Sequence, residues 1–321
     1  MNHKISIVII GRNEEHSIGK CIDAAFAAAA QIGGAEMIYV DSNSTDNTVS
    51  VAKGFGMTVL TLDAGLRPSP SAGRFVGSKN AEGEFILFLD ADTLIYPDFL
   101  PKALEFFQSD STIGGINGRI DDLNEAGERL VEIEDRSDEI MDVKWLRGPA
   151  CFYRRTALLV AGSFDADLAM EEEAELGLRL IKQDWKLNII PHPMACHTRC
   201  YHGQSIESII STFRRDIRSK RLGEITKTIS HAFRAGNGIS FCWLRLKTTI
   251  LFLGWFLLMA GSLLLPQSFH PEIVIALFAI VGALAIYAKK RSLAQTLLFF
   301  PAKILSLADI LAGVHKLNLK R

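Results

Sequence analysis

The run Phe85-Ile86-Leu87-Phe88-Leu89 most narrows what this chain can become. Five apolar residues, rich in aromatic and branched side chains, stand unbroken between Gly83-Glu84 and a polar stretch. A run that short and that apolar reads as a central strand buried on both faces of an α/β sheet rather than as a helix. It stops at Asp90-Ala91-Asp92. Strand periodicity puts both carboxylates on one side of the chain. They stand at the carboxyl end of the strand, where open α/β sheets bind ligands. Two hard oxygen ligands suit Mg2+ or Mn2+, neither of which needs an all-protein cage. Carboxylates so placed also cap helices and shape turns, so the tripeptide takes its meaning from its position and from the rest of the chain.

Similar runs surround it. Ile5 to Ile10 is a buried strand followed by the polar loop Gly11-Arg12-Asn13-Glu14-Glu15. Ser17 to Gln31 carries an Ala-rich helical pattern closed by Gly33-Gly34. Glu36 to Val40 is a strand ending at Asp41, and the polar turn Ser42 to Asn47 follows. Thr48 to Gly54 opens a helix, and Met57 to Leu62 is another strand. Strands alternating with helices at this spacing predict a doubly wound, mainly parallel α/β sheet. Gly11, Asp41 and Asp90 would then gather at its carboxyl ends. Asp63 to Ala72, rich in Pro and Gly, reads as a loop. Gly73 to Ala81, bearing Arg74 and Lys79, and Asp98 to Gln108 read as helices. Asp121 to Asp142 is helical in propensity and holds ten acids against two bases, a pattern more often a solvated face than a site. Arg147 to Tyr153 reads as a strand entered through a turn, and Glu171 to Gln183 as a helix opening with three glutamates.

The last third differs in character. Arg199 to Lys247 holds ten bases and three acids, Arg214, Arg215 and Arg218 among them, and runs into the most apolar part of the chain. With an overall formal charge of -1 the chain lacks the signature of a nucleic-acid binder. A basic stretch abutting an apolar one points instead to a membrane surface. Thr248 to Leu265 is free of charge over 18 residues and Ile273 to Ala288 over 16, which predicts a C-terminal helical membrane hairpin. Arg245 and Lys247 precede it, Lys289-Lys290-Arg291 follow, and the loop between has no Lys or Arg. The positive-inside rule then places the outer flanks, and the domain before them, in the cytosol. A buried hairpin in a soluble core is the alternative. Leu293 to Leu311, with the basic tail Lys316 to Arg321, reads as a segment lying on the bilayer. The division is thus 1–235 and 236–321. The five scattered cysteines lack paired metal-finger spacing and read as free thiols, and Ile5 to Ile10 is too short for a secretory leader.

Four stretches, taken in order, resemble the inverting glycosyltransferases of family 2, which have a GT-A fold. Ser6 to Glu15 resembles the family's opening strand and Asn-Glu loop, with Ile10 where the family has Pro. Ile38 to Thr48 resembles its second strand and Asp-x-x-Ser-x-Asp turn. Gly73-Arg74 through Lys79-Asn80, then Phe85 to Asp92, resembles its basic helix and Asp-x-Asp. Glu172-Glu173-Ala174-Glu175-Leu176-Gly177-Leu178-Arg179-Leu180 resembles its Glu-Asp-x-x-Leu-x-x-Arg-Leu, with Glu173 in the place of Asp. The likeness to membrane-bound members is loose over the C-terminal hairpin.

The resemblance implies a metal-dependent inverting transferase using Mn2+ or Mg2+. It would move a single sugar from a nucleotide-sugar, a UDP-sugar first, to a glycan or lipid-linked acceptor of the cell envelope at the cytosolic membrane face. Gly11, Asn13 and Glu14 would approach the nucleotide-sugar, and Asp41 would accept from its base. Arg74 and Lys79 would counter the diphosphate. Asp92 would be the main metal ligand, with Asp90 near the ribose or the metal. Related folds often supply a histidine after the acceptor region, which makes His197 a candidate third ligand; a lone His is also commonly structural. The implied catalytic base is Glu173, with Glu172 beside it. The Gln-x-x-Arg-Trp motif of processive members is absent from the sequence, in keeping with single-sugar transfer. Two other readings stay open: a polyprenyl-phosphate sugar synthase, and a catalytically weak membrane-anchored binding or scaffold protein, the latter prompted by Glu173. The glutamates at 171–175 also suit the positive end of a helix.

Overall fold

Alternate residues of the first strand, β1 (Ile5–Gly11), enter two different cores. Ile5, Ile7 and Ile9 pack in one, Val8 and Ile10 in the other. The same division holds in β2 (Glu36–Asp41) and β4 (Phe85–Asp90), where Phe85, Leu87 and Leu89 face one side and Ile86 and Phe88 the other. A sheet covered on both faces explains why these strands read as unbroken apolar runs. On one face lie α1 (Ile18–Ala30) and α4 (Phe99–Ser109); on the other lie α3 (Pro70–Asn80), α5 (Arg155–Ala161) and α6 (Glu172–Ile181). A short α2 (Thr48–Gly54) links β2 to β3 (Thr58–Thr61). The computed structural model describes residues 4–123, 129–130, 139–197, 224–262 and 310.

The remaining strands are β5 (Thr93–Ile95), β6 (Ile113–Leu123), β7 (Arg129–Leu130), β8 (Met141–Asp142), β9 (Ala150–Arg154) and β10 (Lys186–His197). The sheet runs β3-β2-β1-β4-β9-β6-β10-β5, with β7 beside β6 and β8 beside β10. β3, β2, β1 and β4 are mutually parallel, as are β6 and β10; β9 lies antiparallel to both β4 and β6, and β5 antiparallel to β10. The parallel half is the doubly wound sheet expected, and the inserted antiparallel strands make the whole sheet mixed. Strand order reverses at β1, between β2 and β4. That switch point is where α/β sheets open a ligand crevice. There the Ala91 N–H donates to the Ile10 carbonyl at 2.9 Å. Gly11 is needed at this crossing, because a Cβ on it would stand 2.7 Å from that of Ala91.

Several expectations change. α3 starts at Pro70, three residues early, because Ser69 caps it by accepting from the Ala72 N–H at 3.1 Å and proline suits the first turn. α3 then lies unusually close to β1: a Cβ on Gly77 would meet Val8 Cγ1 at 2.3 Å, and one on Gly73 would meet Ile10 at 3.2 Å. The acidic stretch 121–142, expected as helix, is strand where it is described, as the end of β6, β7 and β8. Pairing with β10, and of β7 with β6, overrides local propensity there.

The chain forms two compact units, Met1–Tyr201 and His202–Arg321. In the second unit, α7 (Glu224–Arg234) packs against α8 (Gly238–Ser262). α8 begins ten residues before the uncharged run, since Arg245 and Lys247 are good helix formers. Its stretch Gly238–Leu258 is long and apolar enough to cross a membrane, and most of it is not buried. The second expected span, 273–288, all of 293–321 but residue 310, and Arg214, Arg215 and Arg218 lie outside the described residues.

Candidate active site

Two polar loops meet at the carboxyl end of β1 and β2. Asn13 takes a left-handed conformation (φ 57°), which Asn tolerates well. Its N–H donates to Ser44 Oγ at 2.9 Å, and its Oδ1 accepts from the Thr45 N–H at 2.8 Å. The Glu14 N–H donates to Thr48 Oγ1 at 2.8 Å, and the Glu14 carboxylate accepts from Ser17 Oγ at 2.8 Å. Asp41 is buried; one of its oxygens accepts from Tyr39 Oη at 3.1 Å and the other from the Ser44 N–H at 2.8 Å. These residues lace the rim of the crevice together. Asp41, expected to accept from a base, is 1% exposed and holds the turn above it through the Ser44 N–H.

A buried guanidinium sits at the centre of the site. Arg74 on α3 is 1% exposed. Its Nη1 donates to Glu172 Oε1 at 2.8 Å and to Glu173 Oε1 at 3.0 Å; its Nη2 donates to Asp90 Oδ1 at 3.0 Å and to the Gly148 carbonyl at 2.9 Å. Its Cζ lies 5.6 Å from the centre of the Phe164 ring. The guanidinium expected to counter a diphosphate thus already holds three carboxylates and a carbonyl. Lys79, the other base expected there, lies apart from this cluster. It is exposed near the far end of α3, over the Phe75 ring. Five residues along a helix is about 140° of rotation and about 7.5 Å of rise from Arg74, so it points away from the carboxylates.

Asp90 and Asp92 part company, although strand periodicity put them on one side. β4 ends at Asp90, and Asp92 lies in the turn before β5, so the alternation stops between them. Asp90 turns to Arg74. Asp92 stands with Oδ1 3.5 Å from His197 Nε2, both side chains over nine-tenths buried. His197 reaches it because β10 pairs antiparallel with β5, placing His197 opposite Thr93. β10 and β6 escaped the sequence reading: Pro191 and Pro193 interrupt one, and Gly114, Gly115 and Gly118 dilute the other. Those glycines are packing positions, since side chains there would run into Trp185, Tyr153, and Phe99 with the His192 carbonyl respectively.

Three carboxylates share one buried cation, so the cluster is short of positive charge. Burial pushes the Asp90 carboxyl up to about 6, against the pull of Arg74 and with help from Asp92 and Glu173. Burial also raises Glu172, as does the charge of Glu173, with Arg74 opposing. Burial works against the Arg74 charge, but Asp90, Glu173 and Glu172 outweigh it and hold the guanidinium protonated. Glu172 is 6% exposed and Glu173 19%, so Glu173 is the more accessible of the pair. Further along α6, Glu175 and Arg179 form a two-pronged ion pair, with Arg179 also donating to the Ala161 carbonyl; this ties α6 to α5. Among the described residues no three His, Cys, Asp or Glu side chains converge as a metal cage.

Comparison with known proteins places the chain in a family. The family described as Glycosyl transferase family 2 matches residues 6–159, and Glycosyl transferase family group 2 matches residues 85–288. Over 129 residues the chain is 36% identical to the poly(ribitol-phosphate) beta-glucosyltransferase of Bacillus spizizenii, covering 36% of this chain and 20% of that one. Over 206 residues it is 24% identical to the beta-monoglucosyldiacylglycerol synthase of Synechocystis, covering 59% of this chain and 43% of that one. The matches thus span less than half the length of these curated relatives. The mannosyltransferase PcManGT of Pyrobaculum calidifontis, solved with GDP-Man and Mn2+, superposes with a TM-score of 0.62 over 98% of this chain and 88% of that one, at 16% identity. An identity that low speaks for a shared GT-A fold alone. With the second of these matches covering more than half of the chain, from Phe85 through the Asp-x-Asp turn and α6, the chain belongs to glycosyltransferase family 2.

Proposed function

We propose that this chain transfers a single sugar, with inversion, from a nucleotide-sugar to a glycan or lipid-linked acceptor at the cytosolic face of a membrane. One observation carries the reading: Arg74 draws Asp90, Glu172 and Glu173 to the switch-point crevice, where Asp92 and His197 already stand together. Inversion by direct displacement needs a carboxylate to take the acceptor proton. Glu173, the more exposed glutamate, is that base, and Glu172 beside it shares the Arg74 clamp. Arg74 fixes both carboxylates and costs the reaction no reorganisation.

The donor set at Asp92 and His197 fits a divalent cation. A carboxylate oxygen and an imidazole nitrogen, with the remaining positions left to phosphate oxygens and water, suit Mn2+ best and Mg2+ next. Asp90 fits less well, because Arg74 holds one of its oxygens. When bound, the cation would offset charge on the departing nucleoside diphosphate. The relatives named for glucosyl transfer support UDP-glucose as the first donor to try, and PcManGT supports a GDP-sugar as the second. The apolar α8, with the uncharged run at 273–288 beyond it, supports a multi-pass anchor with the transferase domain in the cytosol.

The test is a panel of UDP- and GDP-sugars with the full chain in detergent, with and without Mn2+. Release of nucleoside diphosphate that depends on Mn2+, with an inverted anomeric product, is the expected result. No release with any donor would favour a binding or scaffold protein.

A further inference from the structure

We propose that Gly148 is a positioning residue for the base: its missing side chain is the seat that admits a glutamate, rather than an aspartate, at position 173. The proposal rests on the reading of Glu173 as base. A Cβ at Gly148 would lie 2.1 Å from Glu173 Oε1, 3.2 Å from its Cδ and 3.1 Å from Arg74 Nη2. Contacts under 3.0 Å are essentially never made by real Cβ atoms. The backbone does not explain the glycine, because Gly148 is not among the glycines with positive φ. Space alone explains it.

The loop cannot retreat to make room. The Gly148 carbonyl accepts from Arg74 Nη2 at 2.9 Å, the Pro149 carbonyl accepts from the Asp90 N–H at 2.9 Å, and the Arg147 N–H donates to Asn117 Oδ1 at 2.5 Å. β9 begins at Ala150, paired with Leu89. The group free to move is the end of the Glu173 side chain, which is flexible and 19% exposed. A methyl group at 148 therefore evicts the carboxylate from Arg74 and leaves the fold standing. Shortening residue 173 by one methylene withdraws the carboxylate by about 1.5 Å, one C–C bond, and vacates the same space. The remaining approach to Arg74 Nη2, at 3.1 Å, needs only a few tenths of an ångström.

The experiment compares four full-length proteins: wild type, Gly148→Ala, Glu173→Asp and the double variant. Each is measured by thermal unfolding midpoint and by UDP release from UDP-glucose with Mn2+. Gly148→Ala should lower kcat by about 10²-fold, the size expected for a base displaced by about 1 Å, with KM for UDP-glucose unchanged. It should also lower the midpoint. In the Glu173→Asp background the same alanine should cost less than about twofold in kcat and leave the midpoint in place. An alanine that costs equally in both backgrounds, or nothing in either, would overturn the seat. Because the midpoints need no substrate, they decide the matter even where UDP-glucose is not turned over. Coupled midpoints together with full turnover by Glu173→Gln would uphold the seat and retire the base assignment.

Discussion

Replacing Arg74 by methionine keeps most of the side-chain volume and removes the charge that three carboxylates share. Four donated hydrogen bonds of 2.8 to 3.0 Å vanish, and Asp90, Glu172 and Glu173 are left facing one another. Removing one partner from a buried ion pair costs about 3–5 kcal/mol. The cost depends on pH, and its sign follows from the carboxyls. Burial already holds Asp90 near 6 in the folded protein, above its ordinary value, and raises Glu172 in the same direction. A carboxyl raised by folding stabilises fully below its unfolded pKa, and that contribution is lost as pH rises through the folded one. Without Arg74, the main influence opposing burial at Asp90 disappears and the window extends upward. Each further pH unit then costs about 1.4 kcal/mol per proton retained. At pH 8 the loss should reach about 3–5 kcal/mol, or roughly 6–20 °C in midpoint for a unit of this size. At pH 5 it should be less than half of that. Thermal unfolding followed by circular dichroism at both pH values, on the full chain in detergent, measures it. Arg74→Lys should fall between, because an ammonium cannot reach four acceptors at once. A loss below about 1 kcal/mol at pH 8, or one that does not shrink in acid, would refute the argument that Arg74 neutralises the cluster.

Three further outcomes follow from the site. Asp92→Asn should leave the midpoint nearly unchanged and remove most of the Mn2+-dependent affinity for UDP in calorimetry; equal affinity would sink the metal role of Asp92. Glu173→Gln should lower turnover by about 10²–10⁴-fold with UDP binding intact, and Glu172→Gln should cost less; the reverse order would move the base to Glu172. In a background lacking native cysteines, Ser268→Cys should label from outside intact cells and Ser292→Cys should not; equal labelling would count against a hairpin over 248–288.

The parallel half of the sheet was legible because its signal is local. β1, β2 and β4 are buried on both faces, and unbroken apolar runs are the direct consequence. The loops after β1 and β2 were legible for the same kind of reason, since Asn13, Ser44 and Thr48 bond across two short turns that the sequence already marks as polar. The glutamates at the start of α6 announced themselves through an apolar helix with a charged first turn.

What the tertiary structure alone decided is which of these residues meet. Arg74 and Lys79 are two bases on one short helix, and nothing in their spacing says that one is buried at the centre of the site and the other faces away. That follows from Gly73 and Gly77, which let α3 settle against Ile10 and Val8 and so drive Arg74 between residues 90 and 172–173. His197 reaches Asp92 only because β10 runs its full length beside β6 and then pairs with β5. Propensity concealed both long strands, β10 through its prolines and β6 through glycines that are set by neighbours distant in sequence. Local patterning records which faces are buried; the partners of a buried charge are chosen by close packing between segments roughly a hundred residues apart, a distance over which side-chain periodicity carries no information.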